Sequence, residues 1–247
     1  MINNAQRIGN FTSSNIAALL TTDKSGKSFG KPALTYIEEK NMERRLGLSL
    51  NAESNARALS WGKFLEGAVF DLLGMAYTLS STDTIVHPTI PFWSGSPDLT
   101  KAETVGDIKC PLTRKSFCQL VHPLYDGLQG VEAMNKVRET HKDGEDFYWQ
   151  LVSNAILTNR RFAELIVYMP YQSELAAIQS MAEGNKNLYW LWSSSEDELP
   201  FLKDDGYYRN INIIHFEVPE EDKELLTEKV KAAGEKLITI KTEKVKL

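Results

Sequence analysis

Apolar positions recur at helical spacing through LTYIEEKNMERRLG, ARALSWGKFLEGAVFDLLG and FYWQLVSNAILTN. They form short alternating or continuous runs through TIVHPTIPFW, VGDIKCP, AELIVYMPY and NINIIHFEV, which predicts strands there. Gly47 and Gly74 close the first two helices, because a glycine past the last turn takes up the left-handed cap cheaply. Thr12-Ser13-Ser14 precedes NIAALL and predicts a hydroxyl N-cap on a short helix that stops near Ser25-Gly26. Pro88 and Pro91 interrupt TIVHPTIPFW, so that segment reads as a broken or edge strand leading into the turn GSPD. PEEDKELLTEKVKAAGEKL has acids in its first turns and lysines later, as a helix dipole prefers, and predicts Leu225, Leu226, Val230 and Leu237 facing inward. Pro123 to Glu145 shows the weakest pattern and is expected to be the one weakly structured region. These elements predict an α/β fold, a central mixed β-sheet flanked by helices on both faces, with a cleft across it. One domain is expected over residues 1–247, its core about 7–218 and a C-terminal helix and tail at 219–247.

Composition changes this picture little: 42% hydrophobic and 25% charged residues are ordinary for a soluble globular chain. No apolar run approaches the ~18 residues of a spanning helix, and MINNAQRIGNF lacks the regions of a signal peptide. The expectation is an intracellular, cytoplasmic protein with no membrane partner. Cys110 and Cys118 are too few for a disulfide framework or a four-cysteine metal site and read as reduced thiols. The net charge of −5 is unusual for a nucleic-acid binder. It weighs little if the acids gather around divalent cations, since the metal restores positive potential where phosphate sits. The pairs Arg44-Arg45, Arg114-Lys115 and Arg160-Arg161 read as solvated surface charges, and the four scattered histidines as structural or surface residues. Ser25-Gly26-Lys27-Ser28 imitates a phosphate loop, but Thr21 stands where its first glycine is required, so ATP is excluded.

The chemistry concentrates in GSPDLTKAETVGDIKCP. Side chains alternate along a strand, so Asp107 and Lys109 share one face while Ile108 points into the core. A turn-connected pair of strands can bring Asp98 beside Asp107. Two such carboxylates repel unless a cation lies between them. Oxygen ligands of this kind suit Mg2+, with Mn2+ possible, the remaining positions going to water and a phosphate substrate. Lys109 would then orient or activate that water. Pro-Asp, about ten residues, then Asp-x-Lys is the signature of the PD-(D/E)xK nuclease superfamily.

Within that superfamily the chain resembles the lambda-phage exonuclease family. RIGNFTSS at Arg7–Ser14, ARALSWGKFLEG at Ala56–Gly67, GSPD, DIKCPLTRKSF and the glutamine-bearing YWQL are similar to that family's motifs and fall in the same order. The resemblance implies that Asp98 and Asp107 ligate metal together with the Ile108 carbonyl, and that Lys109 is the catalytic base or its orienter. It implies that Glu66 assists at a second metal or the attacking water, that Gln150 holds the lysine and water, and that Arg7 and Ser14 bind the 5′ phosphate. The family's glutamate is Asp107 here, the glycine after Ser-Pro-Asp is Leu99, and extra residues separate Pro111 from Gln150.

The activity so implied is Mg2+-dependent 5′→3′ digestion of linear double-stranded DNA from its ends, leaving 3′ single-stranded tails. The resemblance adds a ring-shaped homotrimer and a single-strand annealing protein as partner in phage-type recombination. The rival expectations are a site-specific or structure-specific endonuclease with the same residues, and a non-catalytic DNA-end-binding module.

Overall fold

The computed structural model describes residues 6–50, 56–80 and 83–239. Strand β1 (Phe11–Thr12) leads into a 3-10 helix over Ser13–Leu20, then α1 (Lys31–Leu46) and α2 (Arg57–Leu73). Short strands β2 (Thr78–Leu79), β3 (Ile85–Val86), β4 (Trp93–Gly95) and β5 (Leu99–Lys101) precede β6 (Thr104–Lys109). Helices α3 (Arg114–Tyr125), α4 (Gly130–Thr140) and α5 (Gly144–Thr158) then lead to β7 (Phe162–Tyr168). Helices α6 (Leu175–Ala182) and α7 (Tyr189–Trp192), strand β8 (Ile211–Glu217) and helix α8 (Glu220–Gly234) follow.

The main sheet is mixed, in the order β2-β5-β6-β7-β8. Only the β6–β7 pair within it is parallel. A parallel pair needs a long crossover, and α3 to α5 supply it. One face of the sheet packs against α4, α5, α8 and the 3-10 helix through Trp93, Val105, Phe117, Met134, Leu165 and Phe216. The other face packs on α2, α6 and α7 through Trp61, Leu65, Leu99, Ile108 and Ile166. This is the expected layering, with helices on both faces. Gly47 closes α1 in the left-handed conformation, and Gly74 follows α2, as the spacing predicted.

The two prolines break TIVHPTIPFW as expected, and its pieces form a separate three-stranded sheet: β3 and β4 pair antiparallel and join β1, parallel. Three local expectations fail for identifiable reasons. The segment Pro123 to Glu145 is ordered. Pro123 lies inside α3, and α4 buries Ala133, Met134 and Val137 on a single stripe that meets β8. Three apolar positions suffice because most other α4 side chains face water, Arg138 excepted, which lies over the Tyr148 ring at 4.1 Å. Leu225 is 41% exposed, since the buried stripe of α8 runs Leu226, Val230, Ala233 and leaves its neighbour a hundred degrees round the helix. The helix after Thr12 is 3-10 and ends at Leu20, and the Thr12 side chain makes no capping bond. Its hydroxyl lies 3.3 Å from the Tyr36 hydroxyl instead.

The buried stripe of α4 gives a direct check. Truncating a fully buried methionine removes its transfer energy and leaves a cavity, so Met134→Ala should lower unfolding free energy by about 2–5 kcal/mol in a urea titration. A loss below ~0.5 kcal/mol, the range of an ordinary surface substitution, would show that α4 does not belong to the core.

Candidate active site

The site is built on the β5–β6 hairpin. Ala102 turns the chain at φ 42°, and the pairs Leu99↔Gly106 and Thr100↔Val105 set the register. One position beyond Leu99, that register puts Asp98 opposite Asp107. Gly106 leaves room for the buried Leu99 side chain: a Cβ on it would stand 2.3 Å from Leu99 Cδ1, so a larger residue would make that leucine shift. Because β5 begins only at Leu99, the Ile108 N–H on that edge lies beyond the strand pairing and donates to Asp98 Oδ2 at 2.7 Å. A residue's N–H and C=O leave a strand on the same side, so the Ile108 carbonyl points toward Asp98 as well.

The alternation predicted for DIK holds. Ile108 packs with Trp61 and Ile166 on the α2 face, while Asp107 and Lys109 turn toward α5. Asp107 is 1% exposed, so the acid is buried rather than displayed on a surface. Gln150 Nε2 donates to Asp107 Oδ1 at 2.7 Å, and Lys109 Nζ donates to Gln150 Oε1 at 3.2 Å. The Lys109 ammonium lies 2.6 Å from Asp107 Oδ2 and 4.6 Å from the centre of the Phe147 ring. The amide thus spans acid and base. Phe147 was not foreseen, although its place three residues before Gln150 puts both on one face of α5.

Electrostatics explain why this cluster is charged as it is. Burial, then the charges of Asp107 and Glu66, push the Asp98 carboxyl well above its usual range. Glu66, reaching in from α2, is raised by burial and then by Asp107. Burial works against the Lys109 ammonium, but the carboxylates of Asp107, Asp98 and Glu66 more than offset it and its pKa rises. Cys110 is buried and its thiol pushed up by burial, so it stays protonated, as the sequence suggested. Three carboxyl groups therefore crowd one ammonium.

That excess of carboxylate over cation is the test for a metal. Asp107 Oδ2 is buried with no well-aligned hydrogen bond. Among the described residues no group of three or more His, Cys, Asp or Glu side chains is arranged to hold an ion by itself. Two opposed aspartates and a backbone carbonyl fit a hard cation that keeps several waters, which is the habit of Mg2+.

Arg7 and Ser14 lie apart from this centre by different amounts. Arg7 Nη1 donates to Ser96 Oγ at 3.4 Å, two residues before Asp98, and burial lowers the guanidinium's pKa. It makes no ion pair among the described residues. Ser14 is exposed, its Oγ 3.4 Å from Thr12 Oγ1, and Thr12 N–H donates to the buried Tyr36 hydroxyl, whose pKa burial pushes up to about 12. Ser13, by contrast, is structural: its Oγ meets Ser153 Oγ at 2.8 Å, to which Trp93 also donates. His87 is occupied by the Thr89 and Ile90 N–H groups and stacks on Trp93. A cleft of ≈920 Å³ runs past Asn15, Tyr36, Lys40 and Trp149. Its α5 lining is Glu145, Asp146 and Trp149, and it reaches neither Gln150 nor Asp98 and Asp107.

No protein-family model and no curated protein matches the sequence. Solved structures do. An alkaline exonuclease from Laribacter hongkongensis is similar over 93% of this chain and 88% of its own, with TM-score 0.55 and 18% identity. The same exonuclease in complex with dAMP gives 0.54 and 17% over the same shares. A phage-related exonuclease from Haemophilus somnus 129PT gives 0.59 and 14% over 92% of both chains. The chain thus shares the fold of these exonuclease structures. These likenesses agree with the motif resemblance to the lambda-phage exonuclease family.

The raised Asp98 pKa has a sign that can be checked without metal. Between the unfolded value of about 3.9 and the raised folded value, the folded state holds more protons than the unfolded one, so this group's contribution to stability falls as pH rises. With chelator present, Asp98→Asn keeps an oxygen for the Ile108 N–H and removes the charge. Its melting temperature should exceed wild type at about pH 8, and the gap should shrink toward about pH 4. A variant that melts below wild type at the higher pH would contradict the crowding of charge.

Proposed function

We propose that this protein is a divalent-metal-dependent deoxyribonuclease that digests linear duplex DNA from a 5′ end and leaves a 3′ single-stranded tail. The observation that carries the reading is the convergence of Asp98, Asp107, Lys109 and Gln150 at the end of the β5–β6 hairpin, on a fold shared with exonucleases. Asp98, Asp107 and the Ile108 carbonyl would hold Mg2+ or Mn2+. Such an ion, when bound, lowers the pKa of a water and offsets charge on a phosphoryl group.

The chain's own groups divide the remaining work. Lys109, held between Asp107 and Gln150, would take a proton from the attacking water or orient it. Gln150 fixes Lys109 against Asp107. Glu66, which reaches in from α2 beside Asp107, would assist at a second metal or at the attacking water. Arg7 binds the terminal phosphate: its guanidinium is half-buried and free of carboxylates among the described residues. Ser14 would add a hydroxyl. The same reading takes from the motif resemblance a homotrimeric ring, a single-strand annealing partner and no need for ATP.

The test is a linear duplex labelled separately at each end and incubated with Mg2+, Mn2+, Ca2+ or chelator. Progressive loss of the 5′ label in Mg2+ or Mn2+ is expected, with a closed plasmid left intact. Rapid plasmid nicking would instead favour the endonuclease, and metal-independent binding without digestion the end-binding module. Lys109→Ala should slow the chemical step by ~10²–10⁴ at saturating metal. Lys109→Arg should not rescue it, because a forked guanidinium does not fit a point-charge site. Full activity in Lys109→Ala would remove the lysine from the mechanism.

A further inference from the structure

The turn that carries Arg7 is gripped by two consecutive residues of α1. Gly9 sits in the left-handed region at φ 69°. Its N–H donates to Glu43 Oε2 at 2.9 Å, and its carbonyl accepts from Arg44 Nε at 2.8 Å. Both backbone groups of one residue are therefore fixed by one helix. Glu43 is 3% exposed and also accepts from Lys40 Nζ at 2.8 Å and from the Leu50 N–H at 3.2 Å. Arg44 extends further, to Asn10 Oδ1 at 3.5 Å and the Ile238 carbonyl at 3.4 Å. A Cβ on Gly9 would lie 2.5 Å from Arg44 Cγ, so the close approach and the backbone conformation both demand glycine.

This arrangement exceeds what an N-terminal segment needs to stay in place. Termini ordinarily fray unless something ties them down, and burying an ion pair such as Lys40–Glu43 is weak evidence for stability, because desolvation opposes it. Arg44 also departs from the expectation of a solvated surface pair. Neither Glu43 nor Arg44 touches the carboxylate cluster. What they do hold is the turn two residues after Arg7, whose guanidinium meets Ser96 beside the Asp98 loop. A long arginine side chain loses much conformational freedom on binding, and a preset backbone removes part of that cost.

We propose that Glu43 and Arg44 are positioning residues for DNA-end recognition, clamping Gly9 so that the Arg7 guanidinium is preset for a 5′-terminal phosphate. The inference rests on the reading of Arg7 as the phosphate-binding group. Its signature, when the clamp is broken, is a higher KM for phosphorylated ends with kcat retained, since the clamp does not act on the reacting atoms.

The experiment compares initial rates on matched duplexes that carry either a 5′-phosphate or a 5′-hydroxyl, with melting temperatures recorded for every variant. Glu43→Gln strips the buried Lys40 of its carboxylate and can unfold the chain, so Gly9→Ala and Arg44→Met carry the test. Wild type should prefer phosphorylated ends by about tenfold, as one charge-assisted contact supplies. Both variants should reduce that preference to about twofold or less through KM, with 5′-hydroxyl ends digested at the wild-type rate. In an Arg7→Ala background, adding Gly9→Ala should change nothing further. A folded Gly9→Ala or Arg44→Met that keeps the full preference overturns the inference while the Arg7 reading stands. Equal losses on both end types overturn it too, by showing a general structural role. If wild type itself ignores the terminal phosphate, the Arg7 reading fails first and the clamp falls with it.

Discussion

The repulsion between Asp98 and Asp107 is the constraint on which the rest of this site depends. A short hairpin with a left-handed residue at Ala102 and a glycine at 106 forces the two acids to face each other across adjacent strands. Nothing in the local chain relieves them except the Ile108 N–H on one and Gln150 and Lys109 on the other. Glu66 adds a third carboxyl from α2. Such crowding costs folding free energy and persists only where the surrounding structure holds it, which is the pattern of a functional site.

The architecture serves that hairpin from both sides. One face of the sheet rests on α2, which delivers Glu66, and the other on α5, which delivers Gln150 and Phe147. The small sheet of β1, β3 and β4 ties the N-terminal turn to the Ser-Pro-Asp loop, so Arg7 and Asp98 come from segments ninety residues apart yet share an approach. Rigid elements therefore carry the candidate chemistry, and a clamped turn carries the candidate end recognition.

Much of this was legible in the sequence because it is local. Period-two alternation places Asp107 and Lys109 together and Ile108 apart, and glycines at 47 and 74 end their helices for steric reasons that need no tertiary context. The resemblance of GSPD, DIKCP and YWQL to one nuclease family supplied Gln150, whose bonds to Asp107 and Lys109 no spacing argument could give. What stayed hidden is nonlocal. The parallel pairing of Phe11–Thr12 with Trp93–Ser94 joins segments with no shared pattern. Helix α4 buries too few residues for its period to stand out among charges. Glu43 and Arg44 look like solvated helix residues until Gly9, thirty-four positions earlier, is seen folded against them.

The central claim is that Asp98 and Asp107 together make a cation site, and calorimetric titration of the protein with Mn2+ in the absence of DNA tests it most directly. The account predicts saturable binding at about pH 8. It predicts binding at least about tenfold weaker in Asp107→Asn, measured in chelator-stripped protein whose circular dichroism shows it folded. Binding of equal strength in wild type and Asp107→Asn would contradict it.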